Sequence, residues 1–281
     1  MCLVTITLRG GQNFGANLFN NQQVKYSSTD NKWTYENTKY WPTEGHIDFL
    51  AYAPYVETPN FQGSSIDFTV ENNVAAQKDL LWANAKDQTK QTISSTDNKV
   101  KFHFAHALSR LGYSVKLKDA YSDATITLKK ITLAGSANEA TKAFYSEGTI
   151  DLSKEDKAAK LWTPSTTADK QNFTWFSGNQ KLTDKVANNT EYLFVIPQDF
   201  SQKTSGADEL YVIVEYTVEL PLQTGTTGPM TTSVSRKLEK NFEQGKAYTI
   251  NLNIGLTPIE FNAEVNDWDP KDGESIDASW N

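Results

Sequence analysis

A single cysteine, Cys2, stands in this chain of 281 residues, which excludes an internal disulfide and a cysteine-built metal cluster. Histidine is scarce too, at three residues, and so is arginine, at Arg9, Arg110 and Arg236. With a formal net charge of -7, the chain lacks the basic footprint that nucleic-acid phosphates demand, so no nucleic-acid partner is expected. Long apolar runs are missing, and none approaches the ~20 residues that cross a bilayer. Motifs of covalent and phosphoryl chemistry are missing as well: no Gly-x-Ser-x-Gly elbow, no His-Glu-x-x-His, and no phosphate loop, because Gly245-Lys246 lacks the upstream glycine. No catalytic residue, cofactor-binding residue or metal site is therefore assigned, and an enzyme is not expected. The start of the chain reads as a strand (Val4-Thr5-Ile6-Thr7-Leu8) rather than as a signal peptide, which leaves a cytoplasmic protein or a processed or truncated form.

The remaining candidates for chemistry are few. His103 and His106 lie three apart in Phe102-His103-Phe104-Ala105-His106, a spacing that puts the rings on opposite faces of a strand, so hydrogen-bonded structural histidines are expected. His46, after Glu44-Gly45, reads as a turn residue. Asp267, Asp269, Asp272, Glu274 and Asp277 crowd the C-terminal region, but glycine and glutamate fall at the wrong places for an EF-hand loop, and a solvated acidic tail is expected, with weak calcium binding as the alternative.

What the chain does have is aromatic side chains, 12% of its residues, and period-two patterning. Leu210, Val212, Val214, Tyr216, Val218 and Leu220 alternate with polar partners, as do Tyr248, Ile250, Leu252 and Ile254, then Ile259, Phe261, Ala263 and Val265. Alternate side chains of a strand face opposite sides, so these segments read as strands with one buried and one wet face. Further strands are expected at Leu3–Leu8, Ile47–Ala53, Ile66–Val70, Leu80–Ala83, Val100–Phe104, Tyr113–Lys118, Ala124–Leu133, Phe173–Phe176 and Tyr192–Ile196. In Ala124–Leu133 the apolar phase skips at Lys129-Lys130, which predicts a bulge there or a strand that changes sheets. A short helix is expected from Ser153 to Leu161, and Gln223–Gly228 reads as a loop joining a hairpin. The fold class is all-β, with a division near Gly135 into domains 1–135 and 136–281. Seven tryptophans (Trp33, Trp41, Trp82, Trp162, Trp175, Trp268, Trp280) either fill cores or offer flat faces on which sugars stack. The second possibility makes a surface glycan-binding lipoprotein the alternative function.

Four segments together resemble the fimbrillin family of Bacteroidales, the subunits and anchors of type V pili. Tyr40-Trp41-Pro42 with Ile47–Pro54 is similar to its "WP…FxAYxP" strand pair, and Asp79–Ala83 to its "DLLxA" strand. Val100–Arg110 resembles "VxFxFxHALSR", and Phe242–Tyr248 ahead of Ile259–Trp268 resembles "FxxGKxY…V.DW". The resemblance implies two tandem transthyretin-like Greek-key β-sandwiches, export as a lipoprotein to the cell surface and outer membrane, and assembly with other pilus subunits. It also implies strand exchange, in which an arginine-directed cut releases a first strand and a neighbour's terminal strand fills the groove. Carried onto this chain, Arg9 is the candidate processing site and Val4, Ile6 and Leu8 are the side chains of the displaced strand. Ile276 and Trp280 belong to the candidate donor tail, Ile259–Val265 being read as an ordinary strand, and Cys2 is the candidate lipidation site. Adhesion to a host surface or glycan is a further implied role.

Overall fold

This computed structural model describes residues 1–9, 12–13, 18–59, 61–93, 99–121, 123–154, 160–220, 228–255 and 260–267. Their regular structure is β-strand, apart from 3-10 geometry at residues 92–93 and a 3-10 turn at Val74–Ala76 capped by Asn73, whose side chain accepts from the Ala75 amide at 3.1 Å. The all-β expectation therefore holds. Two compact units interleave along the chain: Met1–Phe68, Lys78–Ala107 and Gly148–Thr163 form the first, Thr69–Gln77, Leu108–Glu147 and Pro164–Asn281 the second. Each takes a segment from within the other's stretch of sequence, so no single cut in the chain separates them.

In the first unit the main sheet runs Ala105–His106, Leu81–Gln88, His46–Ala53, Cys2–Arg9, Gln12–Asn13, with Gln22–Gln23 also on Cys2–Arg9. His46–Ala53 is its centre. Phe49, Leu50, Ala51 and Tyr52 are all buried in succession, as expected of a strand covered on both faces. His46 opens this strand instead of sitting in a turn, because the left-handed bend falls on Gly45, at φ 84°. Trp162 is 3% exposed and donates its indole N–H to the Ala107 carbonyl at 2.6 Å, with its ring 5.9 Å from Phe68. Asp151 accepts from Ser64 Oγ at 2.9 Å and from Ser153 Oγ at 2.7 Å. Burial pushes its carboxyl up, but these donors and Lys154 outweigh that and hold it below the usual range.

The second unit pairs two sheets. One orders Ala187–Asn188, Ser109–Leu117, Lys246–Ile254 and Glu260–Asp267, with Leu193–Val195 also on Ser109–Leu117; the other orders Phe173–Lys181, Thr125–Ala134, Tyr211–Glu219 and Met230–Lys237. Ser109–Leu117 and Lys246–Ile254 run parallel, whereas the other pairings of these sheets are antiparallel. Leu111, Tyr113, Val115, Ile250, Leu252 and Ile254 are buried from the first sheet, and Ile126, Leu128, Ile131, Leu133, Val212 and Val214 from the second. Tyr216 ties them together, its hydroxyl donating to the Gly255 carbonyl at 3.4 Å. Buried Gln171 and Gln198 satisfy backbone carbonyls, donating to Val70 and Ala143 at 3.0 Å each.

Several expectations need correction. Val100–Phe104 forms no strand; pairing starts only at Ala105–His106. Met230–Lys237, whose residues are mostly exposed, was not legible as a strand, because it packs too little to need an apolar phase. The helix expected over Ser153–Leu161 falls largely outside the described residues, and so does the Gln223–Gly228 loop, although its flanking strands do pair antiparallel. Glu260–Asp267 pairs in register with Lys246–Ile254, as an ordinary strand.

Candidate functional site

The backbone of Cys2–Arg9 lies antiparallel to His46–Ala53 along nearly its whole length, from Cys2 opposite Tyr52 to Leu8 opposite His46. Val4 stands opposite Leu50 and Ile6 opposite Asp48. The other edge is partnered only at its ends, where Cys2-Leu3 meet Gln23-Gln22 and Leu8-Arg9 meet Asn13-Gln12. Between them, Val4 to Thr7 have no second partner among the described strands. Arg9 closes the strand, and Cys2 opens it. Ile276 and Trp280 lie outside the described residues.

A groove of about 1030 Å³ opens in the same unit. Its floor is core: Phe19, Val24, Ile47 and Phe49 are all buried. Around the mouth stand exposed aromatics, Trp33, Tyr35 and Tyr40, the last 82% exposed. Trp33 comes from the short hairpin Lys25–Ser27/Lys32–Thr34, where Tyr26 meets its ring at 5.5 Å. Tyr35 stands edge-on to Phe19 at 5.0 Å, and Trp41 to Phe49 at 5.9 Å. The segment expected as the strand Val100–Phe104 forms one wall: Val100, Phe102 and Phe104 pack on the core cluster, and Lys101 and His103 also line the groove. Lys32, Lys39, Lys99 and Lys101 are all exposed along it, and no described lining residue is acidic. Sequence reasoning missed this constellation, because its residues come from separate segments that only the fold brings together.

The titratable clusters elsewhere in this unit are structural. His46 Nε2 lies 3.2 Å from Asp87 Oδ1, and the Asp87 amide donates to Asp48 Oδ1 at 2.9 Å. Each residue of that trio offers one potential metal-ligating atom, all within 4.8 Å of one another. The pairings already present account for the cluster. His106 is half-buried and pairs through Nδ1 with Asp79, as a hydrogen-bonded histidine should. Of the tryptophans, Trp82, Trp162 and Trp175 are buried, Trp41 is half-buried and Trp33 is exposed, while Trp268 and Trp280 lie outside the described residues. Among the described residues no helix is long and apolar enough to cross a membrane.

Comparison with known proteins fits this architecture. A family model described as fimbrillin-like matches residues 3–268. Among solved structures, a fimbrial protein from Bacteroides vulgatus is similar at TM-score 0.66 and 20% identity, over 94% of this chain and 92% of that one. A candidate cell adhesion protein from Bacteroides uniformis is similar at TM-score 0.57 and 20% identity, over 95% and 91% of the two chains. Another from Bacteroides ovatus has a TM-score of 0.52 at 17% identity, over 96% and 88%. At these identities the likeness is one of fold. No curated protein matches the chain.

Proposed function

Because the chain belongs to the fimbrillin-like family, we propose that it is a structural subunit of a cell-surface fimbria, joined to other pilus subunits by exchange of β-strands. Family membership and the fimbrial neighbours support the first half of that statement. The second half rests on one observation: Cys2–Arg9 runs alongside the buried strand His46–Ala53 while the middle of its outer edge has no partner among the described strands. A cut after Arg9 would sever this strand from the rest of its unit. Its departure would expose a row of N–H and C=O groups on His46–Ala53, and a donated strand satisfies such a row at little cost in new design. The positions of Val4, Ile6 and Leu8 are then the ones a donor refills, and the C-terminal segment with Ile276 and Trp280 is the donor. Cys2 heads the strand that leaves, so a lipid on Cys2 would hold the unprocessed subunit at the outer membrane and release it on cleavage. We read the two units as transthyretin-like Greek-key sandwiches, acting in assembly and adhesion without catalysis.

The test is limited trypsin digestion of the full chain, followed by size-exclusion chromatography and intact mass. Early cleavage after Arg9, loss of the first strand and a shift to SDS-resistant oligomers are the expected results. A chain cut at Arg9 that keeps its strand or stays monomeric would sink strand exchange for this protein.

A further inference from the structure

Strand exchange acts along an edge of the first unit's sheet, but the groove opens on a face of it. Ile47 and Phe49 share one phase of His46–Ala53, and that strand is hydrogen-bonded on both sides, to Cys2–Arg9 and to Leu81–Gln88. The floor strand itself offers a ligand side chains and no free backbone ladder, so a peptide cannot add there to His46–Ala53 as an extra strand. What the groove's side chains present to a ligand is stacking surface and charge.

Both are present. Trp33, Tyr35 and Tyr40 hold large apolar rings out in solvent at the mouth, an arrangement that costs solubility and marks a contact surface. Tyrosine and tryptophan pair a flat apolar face with a polar handle, which suits a sugar ring, whose C–H face stacks while its hydroxyls hydrogen-bond. The lysines supply the sign. A chain with 34 acidic and 27 basic residues places Lys32, Lys39, Lys99 and Lys101 around one groove, with no acidic residue among the described lining. A cleft lined by one sign of charge over low-dielectric walls focuses its field on a ligand of the opposite sign. A neutral sugar would leave that field unused, and an acyl chain would call for an enclosed tube in place of an open, ring-lined mouth.

We propose that this groove binds an acidic saccharide, one carrying carboxylate or sulfate groups, with Tyr40 and Trp33 stacking on its rings and Lys39 and Lys101 facing its charges. The proposal does not rest on strand exchange, and either can fail without the other. It is tested by titrating the full chain calorimetrically with a chondroitin sulfate hexasaccharide, with cellohexaose as the neutral comparison and a poly-glutamate peptide as the acidic one. Saturable binding of the sulfated sugar is expected, weakening as salt rises and at least tenfold tighter than binding of cellohexaose. Tyr40→Ala and the double variant Lys39→Glu/Lys101→Glu should each weaken it about tenfold or more without lowering the melting temperature, since these side chains are exposed. Four results would overturn the proposal: no binding at low salt, equal binding of cellohexaose, preference for poly-glutamate, or an affinity that ignores Tyr40→Ala. The last would reduce the groove to a general attractor of polyanions.

Discussion

Tyr113 is 4% exposed on Ser109–Leu117, with its ring edge-on to Trp175 at 5.0 Å. Burial disfavours the phenolate and pushes its pKa from 10.0 up to about 12. The folded chain therefore keeps this proton in a range where the unfolded chain has lost it. Stability from this group is fully present below pH 10.0 and falls as pH rises towards about 12. Two pH units correspond to a ceiling of about 2–3 kcal/mol. Urea midpoints measured across that range should fall, and Tyr113→Phe should flatten the fall; an unchanged slope in the variant would contradict the assignment. Burial raises Tyr216 as well, so part of the slope will survive the substitution. Single residues are also where sequence reading was weakest. Nothing in the tryptophan pattern separated Trp162, bonded to a backbone carbonyl, from Trp33, standing in solvent, because exposure is decided by what the rest of the chain brings against each ring.

Strands were more legible, because alternation is a property of the segment itself. The skip at Lys129-Lys130 is the clearest case. Leu128 pairs with Tyr216 and Lys130 with Glu215, so Lys129 is the extra residue of a bulge. That residue lets Ile126 and Leu128 on one side of it, and Ile131 and Leu133 on the other, all reach 0% exposure. Deleting Lys129 would restore a strict period of two, with Ile126, Leu128, Ile131 and Leu133 still sharing the core face and the register with Tyr211–Glu219 made continuous. The deletion variant should therefore keep a cooperative unfolding transition and lose no more than about 2 kcal/mol by urea titration, and Lys129→Ala should change stability by less than about 1 kcal/mol. Loss of the cooperative transition on deletion would contradict the assignment of Lys129 as the extra residue of a bulge. Val100–Phe104 shows the opposite lesson. Its alternation is real, with one phase on the core and the other towards solvent, yet it makes no ladder. Period two reports which face is buried; hydrogen-bonded pairing also needs a neighbour, and a local pattern carries no information about that.

At the scale of the molecule, family membership was legible in four short segments, but the interleaving of the units was not. Thr69–Gln77 and Gly148–Thr163 each belong with residues far away in sequence, and no composition shift marks that exchange. The groove is hidden for the same reason, as its walls come from the hairpin around Trp33, the strand at Ile47 and the Lys99–Phe104 stretch. The central claim is that Cys2–Arg9 must leave its sheet for subunits to join. It is tested most directly by locking the strand in place. Leu8 and His46 are register partners, and opposed side chains on neighbouring antiparallel strands lie within reach of a disulfide. A Leu8→Cys/His46→Cys variant in a Cys2→Ser background, oxidised and then cut after Arg9, should remain monomeric on size-exclusion chromatography and form SDS-resistant oligomers once reductant is added. Oligomers forming as readily while the disulfide is intact would contradict the account.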